Sequence, residues 1–184
     1  ATRRAAGKVA AAEGGTLFLD EIAELSIGSQ AKLLKLIEER EYHPLGSAST
    51  IKADVRIMSA TNANLKKLVE DKRFREDLYY RLCGAILYLP PLRERRQDMA
   101  ALAQFFIDKY ARSNGRPARK LSREGLAQVM EHRWPGNVRE LENAMHRAVL
   151  LANGEEVGAD AIRAPDGAPV GHRDATGDAI EAAQ

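Results

Sequence analysis

The strongest constraint on the fold comes from one stretch, GGTLFLDE at residues 14–21. Two glycines that form a turn precede a short apolar run without alternation, and this pattern predicts a strand buried on both faces. The run ends in two adjacent carboxylates, Asp20 and Glu21. Because ligands of open α/β sheets bind at the carboxyl ends of the strands, we expect both side chains to lie at a ligand site.

Adjacent carboxylates at such a position suit phosphoryl chemistry. Asp20 is suited to orienting Mg²⁺, usually through water, against the phosphates of a nucleotide. Glu21 is then placed to polarise a water molecule for attack on a phosphoryl group. The alternative interpretation is a buried strand followed by a solvated acidic turn, and these eight residues alone leave it open.

Size and composition limit the class of protein. A chain of 184 residues suffices for one core, or for a domain with a small satellite. Hydrophobic residues make up 45% and charged residues 29%, as in ordinary globular proteins, and a net charge of +2 is too small to indicate nucleic-acid binding. The single cysteine, Cys83, excludes an internal disulfide. Without an apolar run long enough for a membrane span or a signal peptide, we expect a cytoplasmic protein.

Strands and helices alternate in the first half of the chain. A second buried strand is predicted at residues 54–60, followed by the polar pair Thr61-Asn62, and a third strand at residues 85–89. Polar side chains therefore follow two predicted strands at their carboxyl ends. The intervening segments predict a helix from the N-cap Ser26 to about residue 40, a hairpin-like excursion at 42–52, and helices at 64–70 and 74–82.

The second half predicts helices alone. One follows Arg93, one is capped by Ser122, and the third opens at Gly136, where Asn137 and Glu140 resemble a capping box. Residues 165–184 contain little that a core could bury and are predicted to form a flexible tail or linker.

With these elements in this order, the chain resembles the AAA+ ATPase domain of sigma-54-dependent transcriptional activators. Three segments carry the resemblance. Residues 12–21 are similar to the family's Walker B signature, residues 74–95 to its arginine-finger segment with the PPLRER that follows, and residues 134–143 to a signature in its lid. The resemblance implies an α/β fold: part of a P-loop NTPase parallel sheet with helices at 1–92, a small all-α lid at 93–164, and the tail.

The resemblance also implies site residues. ATP and Mg²⁺ would be the cofactors, with Asp20 as the residue that orients the metal ion and Glu21 positioning the attacking water. Arg75 and Arg81 would be arginine fingers that reach the nucleotide of a neighbouring subunit, so that hydrolysis would require a ring, expected to be a hexamer. The remaining nucleotide-binding positions would be the turn Gly14 and Gly15, the first sensor Thr61 with Asn62, and the second sensor Arg139.

Each role has a structural alternative. Arg75 and Arg81 would otherwise form surface ion pairs with Glu76 and Asp77. Thr61-Asn62 would otherwise be a capped strand-to-helix turn, and Arg139 a solvated residue in the first turn of a helix.

The P-loop of the family is not found in these residues. Gly7-Lys8 resembles its end, but Thr2 stands in place of its first glycine and Val9 in place of its Ser or Thr. We therefore expect a part of a longer protein that hydrolyses little or no ATP alone. The whole protein would remodel sigma-54 RNA polymerase holoenzyme, with DNA contacted only through a domain outside these residues. Two alternatives remain, a nucleotide-independent interaction module and a different AAA+ remodeller.

Overall fold

The computed structural model describes residues 7–44, 49–117, 119–152, 154, 156–164, 167 and 170. The chain divides into two compact units, Ala1–Leu87 and Tyr88–Gln184, each with its own buried core. The elements of the first unit are α1 (Lys8–Ala11), β1 (Thr16–Leu19), α2 (Ile27–Glu39), β2 (Glu41–Tyr42), β3 (Ile51–Lys52), β4 (Arg56–Ser59), α3 (Leu65–Glu70) and α4 (Glu76–Leu82). Those of the second unit are α5 (Arg96–Ser113), β5 (Lys120–Leu121), α6 (Arg123–Glu131), α7 (Asn137–Leu151) and β6 (Glu156–Val157).

The sheet of the first unit confirms two predicted strands. β1 and β4 pair in parallel, with Thr16 opposite Arg56 and Leu19 opposite Ser59. The prediction that the first strand is buried on both faces is wrong. Its residues alternate between exposed and half-buried, and the opposed side chains of Phe18 and Met58 are 57% and 43% exposed. In the described part of the chain only one face of this pair is covered, which explains the alternation.

The helix α2 begins and ends where the sequence predicts. The Ser26 hydroxyl accepts a hydrogen bond from the Ser29 N–H at 3.3 Å, which satisfies one of the unpaired donors of the first turn. Leu33 and Leu36 are buried against Ile22 and Leu78 in the core of the first unit. The predicted excursion at 42–52 contains the antiparallel pair β2–β3, while residues 45–48 lie outside the described residues.

The two short helices after β4 also follow the prediction. The Asn64 side chain accepts from the Lys67 N–H at 3.1 Å and caps α3. In α4 Leu78 is fully buried, and Phe74, which precedes the helix, is buried in the same cluster.

The predicted third strand at residues 85–89 is wrong. This segment is irregular, and the side chains from Leu87 to Leu89 are more than four-fifths exposed. An apolar run forms a strand only when a neighbouring backbone supplies hydrogen bonds, and among the described residues β1 and β4 alone form the parallel sheet of the first unit.

Among the described residues of the second unit, helices predominate, and the strands β5 and β6 form a two-residue parallel pair that the sequence did not predict. Its helices α5, α6 and α7 enclose one core, in which Met99, Ile107 and Trp134 are fully buried. The predicted cap is present, since the Ser122 hydroxyl accepts from the Gly125 N–H at 3.0 Å.

The start of α7 differs from the predicted capping box. Glu140 reaches back as expected, but its Oε2 accepts from the Gly136 N–H at 2.7 Å. The Asn137 side chain does not cap this helix; its Oδ1 accepts from the Leu92 N–H at 2.9 Å. Asn137 is the first helical residue and has a left-handed backbone (φ 54°), and its side chain bonds to the segment before α5 instead.

The predicted tail at 165–184 lies outside the described residues except for Gly167 and Val170. Val170 is buried in the core of the second unit, and its carbonyl accepts a hydrogen bond from Gln128 Nε2. Among the described residues no helix combines the length and the apolar character needed to cross a bilayer.

Candidate functional site

The two predicted polar pairs meet at one edge of the β1–β4 sheet. Leu19 ends β1 opposite Ser59, which ends β4, so Asp20-Glu21 and Thr61-Asn62 leave the sheet side by side. Two backbone hydrogen bonds continue the pairing beyond the strands: the Ala60 N–H donates to the Leu19 carbonyl at 2.9 Å, and the Ile22 N–H donates to the Ala60 carbonyl at 3.0 Å. The fold therefore brings together the residues of the two segments that the sequence singled out.

The acidic turn holds its carboxylates in solvent. Asp20 Oδ1 accepts the Glu21 N–H at 3.0 Å, and both side chains are exposed. Glu21 has a left-handed backbone conformation (φ 52°, ψ 50°), which is uncommon for a residue other than glycine and costs about 1–3 kcal/mol. The turn is anchored by Ile22, which is 1% exposed and packs into the core. This buried anchor directly after the carboxylates holds the strained residue in place.

In the second polar pair, Thr61-Asn62, one side chain stabilises the backbone turn and the other forms no hydrogen bond to the described residues. Thr61 Oγ1 accepts the Ala63 N–H at 3.1 Å, so this hydroxyl stabilises the turn into α3 as the alternative interpretation requires. Asn62 is exposed, and its side chain has no hydrogen bond to the described residues. The turn therefore leaves the Asn62 amide accessible at the same edge as Asp20.

The two glycines lie at the other end of β1. Gly14 has φ 71° and donates its N–H to the Asp54 carbonyl at 2.8 Å, while the Gly15 carbonyl accepts from the Arg56 N–H at 2.9 Å. Both contacts align the amino ends of the two strands. The structure thus does not bring Gly14 and Gly15 to the edge that carries Asp20, and their predicted nucleotide contact stays a prediction.

Arg75 lies at the start of α4 and is held by an ion pair. Its Nε and Nη2 donate to the two carboxylate oxygens of Asp77 at 3.0 and 2.6 Å. These hydrogen bonds and the charge of the partner raise the pKa of Arg75, and the same hydrogen bonds lower the pKa of Asp77. The Arg75 side chain is 39% exposed, so it is accessible from solvent while two parallel hydrogen bonds to Asp77 orientate its guanidinium.

Arg81 occupies the last turn of α4 and pairs with another helix. Its Nε donates to Glu38 Oε1 of α2 at 2.8 Å, and the arginine side chain is 59% exposed. The sequence predicts Glu76 and Asp77 as the alternative partners of Arg81, whereas its partner in the structure is Glu38. Forty-three positions separate the two residues, and no local pattern connects them.

Arg139 lies in the first turn of α7, in the second unit. Its side chain is exposed and has no ion pair or hydrogen bond to the described residues. The turn before it is tightly fixed: the indole Nε1 of Trp134 donates to the Val129 carbonyl at 2.9 Å, and His132 contacts Glu140 at 3.1 Å. A cation at the amino end of a helix is mildly unfavourable and favours a neighbouring anion.

The donors at the sheet edge fit a hard cation. Asp20 uses one carboxylate oxygen for the Glu21 N–H, and its other oxygen has no partner among the described residues. Mg²⁺ is commonly bound by one or two carboxylates together with water and substrate phosphates, and it does not need a cage of protein ligands. No group of three or more His, Cys, Asp or Glu side chains that could hold a metal ion is found in the described part of the chain.

Comparison with known proteins matches both parts of the chain to known domains. Residues 1–87 match the sigma-54 interaction domain, and residues 93–168 match the AAA+ ATPase lid domain. The transcriptional regulatory protein FlbD of Caulobacter vibrioides is 51% identical over 170 residues, which cover 92% of this chain and 37% of FlbD. The alginate biosynthesis transcriptional regulatory protein AlgB of Pseudomonas putida is 48% identical over 151 residues, covering 82% of this chain and 34% of AlgB.

Solved structures agree with these matches. NtrX from Brucella abortus, crystallised in complex with ATP, has a TM-score of 0.79 at 33% identity, with 96% of this chain and 41% of NtrX covered. NtrX in complex with ADP gives a TM-score of 0.76 at 35% identity, covering 82% of this chain and 36% of NtrX. The chain spans about a third of the length of the curated relatives named above. The two domain matches, in this order and with these relatives, show that the chain belongs to the family of sigma-54-dependent transcriptional activators and corresponds to part of their AAA+ domain.

Proposed function

We propose that this chain supplies the hydrolytic and intersubunit residues of an ATPase ring that activates transcription by sigma-54 RNA polymerase. The observation that carries the proposal is the meeting of Asp20-Glu21 and Thr61-Asn62 at the carboxyl edge of the parallel pair β1–β4. Ligands of open α/β sheets bind at this edge. The family match and the nucleotide complexes of NtrX support ATP as the ligand.

Within this site each polar group has a separate role. Asp20 would hold Mg²⁺ through its unpaired carboxylate oxygen, and the ion would supply positive charge that offsets the charge of the phosphoryl group. Glu21, the next residue, positions the attacking water. Asn62 contacts the γ-phosphate position from the end of β4, and Thr61 orients it by fixing the turn. Gly14 and Gly15 contribute by aligning the two strands at their amino ends.

The cationic residues act between and within subunits. Arg75 and Arg81 reach the nucleotide of the neighbouring subunit, where a guanidinium supplied in trans is worth about 10³ to 10⁵ in rate in comparable enzymes. Both are ion-paired here, with Asp77 and Glu38, so a nucleotide must replace or share these partners. Arg139, the one lid residue assigned here, acts as the second sensor for bound nucleotide.

This arrangement makes hydrolysis dependent on assembly into a ring, proposed to be a hexamer in the cytoplasm. Residues 1–92 form the α/β part and residues 93–164 the lid. Changes in nucleotide state would move the parts of the ring that contact sigma-54 holoenzyme, and DNA would be bound by another domain.

The experiment uses a chimera in which residues 1–168 replace the matched segment of Caulobacter FlbD, because this chain covers only 37% of FlbD.

The test compares two neighbouring glutamates in the chimera. Glu21→Gln removes the carboxylate that positions water, and Glu24→Gln makes the same change on an exposed residue of the same turn. We expect Glu21→Gln to retain ATP binding by calorimetry and to lose about 10² to 10⁴ in the rate of phosphate release, the range of general-base contributions. Glu24→Gln is expected to match the unmodified chimera.

The competing hypothesis is a nucleotide-independent interaction module. It predicts that the Glu21→Gln and Glu24→Gln chimeras assemble and activate transcription equally well, with no change in bound nucleotide. Equal rates of phosphate release in the two variants, with equal thermal unfolding, would refute the role of Glu21.

A further inference from the structure

Gln30 is a buried glutamine on α2 whose amide bonds only to backbone groups. Its side chain is 0% exposed. Its Nε2 donates to the Leu25 carbonyl at 2.8 Å and to the Arg73 carbonyl at 3.1 Å, and its Oε1 accepts from the Arg75 N–H at 2.9 Å. One side chain thus joins Leu25, at the end of the acidic turn, to Arg73 and Arg75, the two neighbours of Phe74.

The surroundings make this bridge rigid. Ile22, Phe74 and Leu78 form the apolar cluster of the first unit, and each is no more than 2% exposed. Where water is excluded, hydrogen bonds are electrostatically stronger, and a buried polar group left without its partner is unfavourable. Movement of the Arg75 backbone away from Gln30 would leave the Arg75 N–H and the Gln30 Oε1 without each other as partners.

We propose that Gln30 is a positioning residue for Arg75. The inference rests on the proposed function, in which Arg75 acts on the nucleotide of a neighbouring subunit. Gln30 fixes the main chain from which the arginine projects, and Asp77 orientates the guanidinium at the other end of the side chain. Through Leu25 the same amide also holds the turn that follows the subunit's own carboxylates, Asp20 and Glu21.

The geometry gives the size of the expected effect. A trans-acting arginine is worth about 10³ to 10⁵ in rate, and a misplacement of about 1 Å costs about 10²-fold. Loss of the Gln30 bridge therefore lowers the contribution of Arg75 by about 10²-fold without removing the arginine. If Gln30 only stabilised the core, its loss would lower the activity of its subunit equally whether that subunit supplies Arg75 or hydrolyses ATP.

Mixed assemblies of the chimera separate these two roles. Subunits with Glu21→Gln keep Arg75 and act as donors, while subunits with Arg75→Ala keep Glu21 and act as acceptors. Neither hydrolyses ATP efficiently alone, and the mixture regains hydrolysis where a donor supplies Arg75 to an acceptor. Gln30→Met, which preserves side-chain length without hydrogen bonds, is then introduced either into the donor or into the acceptor.

We expect Gln30→Met to lower the regained rate by about 10²-fold in the donor, where it acts through Arg75, and by much less in the acceptor, where Gln30 acts only through its bond to the end of the acidic turn. The matched control is Gln104→Met in the donor. Gln104 also bridges backbone groups, since its Nε2 donates to the Arg119 carbonyl at 2.9 Å and its Oε1 accepts from the Leu121 N–H at 3.1 Å, but it lies in the second unit. This control should leave the regained rate unchanged.

A second variant covers the case in which Gln30→Met does not fold. Gln30→Leu removes the same three hydrogen bonds with a different apolar side chain of similar volume, so it should also lower the donor's contribution by about 10²-fold. If either variant lowers the regained rate of hydrolysis equally in the donor and in the acceptor, the proposal is overturned. If the unmodified donor and acceptor regain no hydrolysis, the proposed trans role of Arg75 itself is wrong.

Discussion

Phe105 and Phe106 are neighbours on α5 with opposite environments, and this pair allows a sharp test of the second unit's core. Phe106 is 5% exposed within the core cluster, whereas Phe105 is 55% exposed. Their rings contact each other edge to face, with centroids 5.5 Å apart. Replacing either one by alanine removes this contact, which is worth about 0.5–1.5 kcal/mol, so the contact cancels in a comparison of the two variants.

The remaining difference in the free energy of unfolding comes from burial. Truncation of a buried phenylalanine to alanine costs about 3–5 kcal/mol, because transfer energy is lost and a cavity remains. For Phe105 about half of the transfer term applies and no cavity forms, which gives about 1 kcal/mol. Phe106→Ala should therefore be less stable than Phe105→Ala by about 2–4 kcal/mol.

Trp134 provides the assay. It is the single tryptophan of the chain and lies fully buried in the same cluster as Phe106, so its fluorescence reports unfolding of this core. With a guanidinium m-value of about 3 kcal/mol per M, the two midpoints should differ by about 1 M. Coincident midpoints, or a lower midpoint for Phe105→Ala, would show that the inward face of α5 is assigned incorrectly.

Two further perturbations test particular contacts. Gly28→Ala on α2 should raise the free energy of unfolding by about 0.5–1 kcal/mol, since its added Cβ meets nothing within 4 Å. Gly125→Ala on α6 should lower the free energy of unfolding, because the added Cβ would lie 2.9 Å from the Val157 carbonyl oxygen. Chemical unfolding of both variants measures the two changes, and a stabilising Gly125→Ala would contradict the packing around Gly125. Hydrogen bonds from Lys109 and Tyr110 lower the pKa of Glu142 from its usual 4.5, so their contribution to stability is complete above that pH and is lost as the pH falls through the lower folded pKa. Glu142→Gln should therefore flatten the loss of unfolding free energy below about pH 4.5, and an unchanged slope in an acid titration would count against this cluster.

Local sequence patterns predict the elements of this chain well where the stabilising hydrogen bonds join residues that are close in the sequence. Ser26 and Ser122 cap their helices as expected, because a capping bond joins residues three positions apart. The meeting of Asp20 with Thr61 and Asn62 also follows from sequence, since the carboxyl ends of parallel strands share one edge.

Features that depend on distant partners were not predictable in the same way. Residues 85–89 have the composition of a strand, but no described backbone pairs with them. The partner of Arg81 lies 43 positions away, and Gln30 bonds to Arg75 across 45 positions. The sequence predicts Gln30 only as an inward position of the amphipathic helix α2. The structure shows that its amide also bonds to Leu25, after the acidic turn, and to Arg75.

Under the proposed role of Glu21, its left-handed backbone sets folding stability against activity at one position. Glycine and asparagine adopt φ 52° more readily than glutamate, so either should relieve local strain. A variant library selected for thermal tolerance alone would therefore become enriched in those two residues at position 21. The same library selected for ATP turnover would keep glutamate, and the contrast between the two enrichments would measure how much folding stability the family gives up for chemistry at this turn.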